Sequence, residues 1–217
     1  MARNQLLINT VVNYCSQLGQ DRYLNDTYFK NKQAGVFVDV GAHDGITYSN
    51  SKYFESIGWT GLCVEPIPNI FDQLKANRKC ICENYAISDN EGEDDFLLVH
   101  GYAEMLSGLV KEYEPMHVGR IDGEIHHYGG SKEIIKVKTV TLQTLLDKHN
   151  ISSIDFLSLD TEGNELKVLK TIDFNKVNIF AISLENNYKD EKIRNFLVEK
   201  GFTHIKSLDV DDIFIKN

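Results

Sequence analysis

Two hydrophobic periods alternate along this chain. Short apolar runs rich in β-branched residues fall at 36–40, 61–65, 80–85, 154–159 and 179–184. They are too continuous for half-exposed strands and too short for buried helices, so they read as central parallel strands. Between them, apolar residues recur at helical spacing over 49–57, 69–78, 142–149, 165–170 and 191–200. Strand and helix in strict turn predict an α/β fold, a doubly wound and mostly parallel sheet. Two late strands, 203–207 and 213–216, flank the acidic turn 209–212 and predict a C-terminal antiparallel β-hairpin. Extra strands at 96–99 and 134–140 bracket an irregular stretch, 100–131, and a helical segment from about Gln5 precedes the first strand. The 217 residues are expected to form one domain, with 1–34 as a helical cover over the site.

The chemistry gathers where strands end. The first strand runs into Gly41-Ala42-His43-Asp44-Gly45, and the second into Glu65-Pro66. Neighbouring strands of a doubly wound sheet present such loops at one carboxyl edge, where ligands bind. The glycines let the backbone turn tightly beneath a ligand, and Glu65 is placed to accept two ribose hydroxyls. A dinucleotide fingerprint would need further glycines where His43 and Ile46 stand, so no phosphate cradle is present. Asp39 and Asp44 would repel a pyrophosphate but suit a ligand carrying an ammonium and a sulfonium, which favours S-adenosylmethionine over NAD. His43 is assigned to cofactor contact, Asn84 and Ala86 to the run past the adenine, and Gln17 and Gln20 to the covering segment.

The blocks Cys15-Ser16-Gln17-Leu18-Gly19-Gln20-Asp21, Phe37 to Gly45, Gly58-Trp59-x-Gly61, Glu65-Pro66-x-Pro68 and Asp155-Phe156-Leu157-Ser158-Leu159-Asp160-Thr161-Glu162-Gly163-x-Glu165 occur in order. In these the chain resembles the FkbM-type S-adenosylmethionine-dependent methyltransferases. The resemblance implies a seven-stranded Rossmann-like sheet closed by a hairpin. It also implies O-methylation, often of a hydroxyl on a sugar within a glycan or glycosylated metabolite. Two other readings stay open: a catalytically silent S-adenosylmethionine-binding scaffold, and an NAD-dependent sugar oxidoreductase or epimerase.

Methyl transfer to oxygen needs a group that takes the hydroxyl proton. Asp160 follows the 154–159 strand and Glu185-Asn186 follow the 179–184 strand, so both strand ends bring acids to one pocket. In one mechanism Asp160 accepts the proton, alone or with a loop histidine such as His127, and Glu185 orients the acceptor. In the other, Asp160, Glu185 and Asn186 ligate Mg²⁺ or another divalent cation. This metal arrangement resembles that of the catechol-type O-methyltransferases, except that the lysine those enzymes carry three residues after the first acid is Gly163 here. Glu162 and Glu165 read as helix-start acids. The 100–131 stretch, with Tyr102, Tyr113, Tyr128, His117, His126, His127 and Arg120, is expected to be a substrate loop suited to a carbohydrate acceptor.

Composition narrows the field further. A net charge of -9 with scattered lysines argues against a nucleic-acid partner, and 42% hydrophobic with 25% charged residues is ordinary globular usage. The four cysteines have neither zinc spacing nor a disulfide-scaffold pattern and suit a reducing compartment. No apolar stretch approaches the roughly twenty residues of a membrane span, and Leu6-Leu7-Ile8 is too short for an export signal. A soluble, cytoplasmic protein is expected.

Overall fold

A computed structural model describes residues 13–187 and 189–217; the helical segment expected from Gln5 begins outside them. The five apolar runs form a central sheet with the strands β1 (Val36–Val40), β2 (Thr60–Val64), β3 (Ile81–Glu83), β8 (Ser153–Leu159) and β9 (Asn178–Glu185). All of these pair in parallel. The chain ends in β10 (Phe202–Leu208) and β11 (Asp211–Lys216), and β11 inserts antiparallel between β9 and β10. The resulting seven-stranded order is β10-β11-β9-β8-β1-β2-β3, a doubly wound sheet in which the chain first steps outward from β1 to β3 and then resumes on the other side of β1 with β8.

Alternation along each strand divides the core into two layers. Val38, Val40, Leu62 and Val64 pack on one face against Leu142, Leu145 and Leu146 of α5 (Leu142–Lys148), Val168 and Leu169 of α6 (Glu165–Lys170), and Ile193 and Leu197 of α7 (Glu191–Glu199). Phe37, Cys63 and Phe156 face the other way, against Leu24 of α1 (Gln20–Leu24), Phe54 of α2 (Lys52–Ser56) and Leu74 of α3 (Pro68–Asn77). Local chemistry starts these helices where they begin. Pro68 opens α3, Thr141 Oγ1 accepts the Thr144 amide at 3.1 Å, and Asp190 Oδ1 accepts the Lys192 amide at 2.8 Å.

The insertion is more ordered than its sequence suggests. β5 (Gly92–Gly101) and β7 (Gly130–Val140) make a long antiparallel ribbon, completed by β4 (Ala86–Ile87) and β6 (Gly108–Leu109) into a four-stranded sheet, order β4-β7-β5-β6. Of the run expected as one strand at 80–85, only β3 is strand, and β4 follows just beyond it in the second sheet. In place of an irregular loop, 100–131 contains β6, two 3-10 turns and the helix α4 (Pro115–Tyr128), whose Ile121 is buried against Val99, Ala103 and Leu106. No helix among the described residues is long and apolar enough to cross a membrane.

Candidate active site

The carboxyl ends of β1, β2 and β8 are laced together by their own backbone. Gly41 and Ala42 both donate to the Val64 carbonyl at 3.0 Å, and the Asp160 amide donates to the Val40 carbonyl at 3.0 Å. Gly41 has φ +82, and a Cβ there would lie 1.9 Å from the Asp160 carbonyl oxygen, so only glycine allows β1 and β8 to end this close. The cleft over this edge is lined by Gln17, Gln20, Asp39, Gly41, Ala42, His43, Glu65, Pro66, Ala86 and Asp160.

Glu65 is the best-defined acid here. Only 4% exposed, it accepts the His43 amide on Oε2 at 3.1 Å and the Ile67 amide on Oε1 at 2.9 Å. Burial outweighs these two bonds and pushes its pKa up to about 7. Beside it, Ile67, Ala86, Ile87, Phe96 and Leu109 form an apolar wall. Phe96 and Leu109 come from the second sheet, whose function is thus to close the flat end of the cleft. The N-terminal segment also borders the cleft, and the Gln20 side chain donates to Asp211, the first residue of β11.

Three carboxyl groups meet further along the edge. One oxygen each of Asp160, Glu162 and Glu185 lies within 4.8 Å of the others. Solvent reaches Asp160 through the open cleft, yet protein encloses it, and that enclosure together with the Glu185 and Asp211 charges raises its pKa. Burial and then Glu185 raise Glu162. Burial and then Glu165 bring Glu185 to about 7. This acid seam also borders a second chamber, since Glu162 and Glu185 line both cavities.

Other residues singled out in the sequence are held elsewhere. The Asp39 carboxylate, although it borders the cleft, accepts the Ser51 hydroxyl and faces Arg78. Asp44 is occupied by its own turn, accepting from the Ile46 and Thr47 amides at 2.8 and 2.7 Å, and Asn84 donates to the Glu65 and Pro66 carbonyls; neither side chain lines the cleft. Asn186 donates to Asp212 Oδ2 at 2.9 Å and accepts the Asp190 amide at 2.7 Å. With both ends of its amide engaged, it stands outside the acid cluster, and Glu162 takes the third place. His127 is exposed near the end of α4 and borders neither cavity. Tyr102 and Tyr128 stack on each other at 4.1 Å, 68% and 57% exposed, away from the cleft.

Two residues at or near the cleft, Asn50 and Arg78, have no motif to announce them. Asn50 Nδ2 donates to Ser158 Oγ at 3.0 Å on the cleft floor. Arg78, 5% exposed, donates to Glu55, the Gly45 carbonyl, Ser49 and Ser51, and so ties the glycine loop to α2.

The Methyltransferase FkbM domain matches residues 39–203, and the chain belongs to this family. It is therefore a methyltransferase. No curated protein matches the sequence. Among solved structures it is similar to a TehB-like SAM-dependent methyltransferase from Corynebacterium glutamicum, with TM-score 0.46 and 10% identity over 92% of this chain and 88% of that one. Fibrillarin from Aeropyrum pernix with natively bound S-adenosyl-L-methionine gives TM-score 0.45 and 11% identity over 92% and 73%.

The residues present fit this cofactor. A buried carboxylate with lone pairs left over beyond its two amide contacts suits a vicinal diol, the apolar wall suits a purine, and the acids beyond Gly41 suit the positive amino acid and sulfonium end.

Proposed function

We propose that the protein transfers a methyl group from S-adenosylmethionine to a hydroxyl oxygen, and that the acceptor is a carbohydrate or a glycosylated metabolite in the cytoplasm, not a nucleic acid. The observation that carries this reading is the acid seam: Asp160, Glu162 and Glu185 converge where the cofactor cleft meets a second, acceptor-sized chamber. The bound cofactor supplies an electrophilic methyl group. Everything else falls to the protein: Glu65 fixes the ribose, the wall of Ile67, Phe96 and Leu109 fixes the base, and the seam meets the acceptor hydroxyl. A hydroxyl losing its proton as the new oxygen–carbon bond forms needs an acceptor poised near neutrality, and Glu185, at about 7, has that character. Asp160 shares the proton with it across the cluster, so the pair acts as one base.

A second reading is favoured by one feature. The three acids lie close enough to ligate a hard divalent cation, and Glu162 Oε2 is buried without a hydrogen-bond partner among the described residues. A cation there would lower the hydroxyl pKa in place of the carboxylate base.

The test is methyl transfer from labelled S-adenosylmethionine to a panel of free and glycosidic sugars, run with EDTA and with Mg²⁺. Labelled ether product that is unaffected by EDTA supports the carboxylate base, and loss restored by Mg²⁺ supports the cation. Cofactor binding with no transfer to any hydroxyl acceptor would refute the proposal and leave a binding module.

A further inference from the structure

We propose that the second chamber is the acceptor site and that its acceptor carries a positive charge, an amine-bearing sugar or similar amino alcohol that is methylated on oxygen. This rests on the O-methylation reading. The chamber has a volume of about 430 Å³ and lies between α4, the 3-10 turn Val110–Glu112, the 186–190 connection and the first turns of α6 and α7. Seven carboxylate residues line it against two lysines, Lys189 and Lys192.

Three of those acids have an evident local task. Glu165 accepts from the Thr161 amide and hydroxyl and from the Gly163 amide at 2.9 to 3.2 Å, which holds the turn before α6. Asp190 caps α7. Glu112 Oε2 pairs with Lys167 at 2.7 Å.

Two oxygens remain. Glu112 Oε1 and Glu162 Oε2 are buried without a hydrogen-bond partner among the described residues, on side chains only 4% and 9% exposed. His117 Nε2 stands 3.7 Å from Glu162 Oε2, beyond hydrogen-bond reach. Unpartnered buried carboxylate oxygens are costly, so a chain that retains two of them in one chamber is built for a ligand that donates to both.

An ammonium group fits that requirement. It brings a full charge and three donors, whereas a phosphate- or carboxylate-bearing acceptor would be repelled by the lining. A single divalent ion does not explain the arrangement, because Glu112 lies outside the tight cluster of Asp160, Glu162 and Glu185. Carboxylates around an amine also keep it protonated, and an ammonium nitrogen has no lone pair with which to attack. The methyl group therefore goes to the hydroxyl at the seam. That oxygen gains the methyl carbon, its proton passes to a seam carboxylate, and the donor sulfur keeps the electron pair as a neutral thioether.

The experiment is calorimetric titration of three probes into protein saturated with S-adenosylhomocysteine, with EDTA present: methyl glucoside, its 2-amino-2-deoxy analogue and the N-acetylated form of that analogue. The amine is expected to bind at least about tenfold more tightly than either neutral probe, about 1.4 kcal/mol. Glu112→Gln should remove most of that preference and Glu112→Asp should retain most of it, with cofactor affinity as the check on folding. Equal or stronger binding of a neutral probe, a preference that survives Glu112→Gln, or no binding of any probe would overturn the proposal. Product analysis with labelled cofactor separates the two readings. An amine preference with a labelled ether supports both. An amine preference with a labelled amine supports the charged site and overturns transfer to oxygen, and ether formation without preference overturns the charged site alone.

Discussion

Replacing Glu65 with glutamine should make the protein more stable and the cofactor weaker at the same time. Its pKa rises from 4.5 to about 7 because burial penalises the carboxylate more than the His43 and Ile67 amides reward it. That difference of roughly 2.5 units corresponds to about 3 kcal/mol. For a carboxyl raised on folding, the native state holds its proton more tightly than the unfolded chain. The stability it allows is complete below the unfolded value of 4.5 and is lost as pH rises through about 7. Glutamine cannot ionise, so the loss disappears, but its NH₂ must oppose one of the two backbone amides, at about 1–2 kcal/mol. The net gain at about pH 8 is about 1–2 kcal/mol, or roughly 2–8 °C in Tm for a chain of this size. Cofactor affinity should move the other way. Two charge-assisted hydrogen bonds to the ribose are each worth about 1.5–3 kcal/mol, so a loss of at least about 100-fold is expected. Thermal melting across pH and calorimetry with S-adenosylmethionine read the two effects separately. A Glu65→Gln protein that melts below wild type at about pH 8, or binds the cofactor within about threefold of it, would refute the assignment.

Three further expectations follow from the same geometry. Asp160→Asn should cut turnover by about 10²–10⁴-fold while cofactor affinity changes by no more than a few-fold, since it removes a proton acceptor and keeps the shape; steady-state kinetics with parallel calorimetry checks this. Turnover under saturating substrates should rise with pH through about 7 as Glu185 ionises, and Glu185→Gln should flatten that limb of the profile; a wild-type profile level across that window would contradict the role. Arg78→Met should destabilise the fold by about 3–5 kcal/mol, because it leaves buried Asp39 without its cation, takes one of two cationic partners from Glu55 and frees the Gly45 carbonyl; a denaturant midpoint close to wild type would count against that network.

The main sheet was legible because β1, β2, β8 and β9 are largely apolar runs that lead into residues whose chemistry stands out, Asp39-Val40-Gly41 and Glu65 above all. The second sheet was only partly so. β5 and β7 face solvent on one side, and what marks their pairing is charge: Glu93 opposes Lys138 and Asp95 opposes Lys136. That complementarity becomes visible only once the register is known. α4 escaped notice for a different reason. Gly119, Gly123 and three histidines give it poor helix propensity, and it is tertiary contact of Ile121 with Val99 and Leu106 that holds it. At the site, position along the strand told which loops converge but not which side chains were free. Asn186 sits at the expected strand end, yet Asp212 and the Asp190 amide engage its amide. Glu162 reads as a helix-start acid, but left-handed backbone at Glu162, φ 57, and at Gly163, φ 109, turns the chain back before α6 begins. That turn carries the carboxylate to the seam, and Glu165 stabilises the turn in its place. The positive φ at Glu162 thus places its side chain where it lines both cleft and chamber, the position the proposed transfer requires.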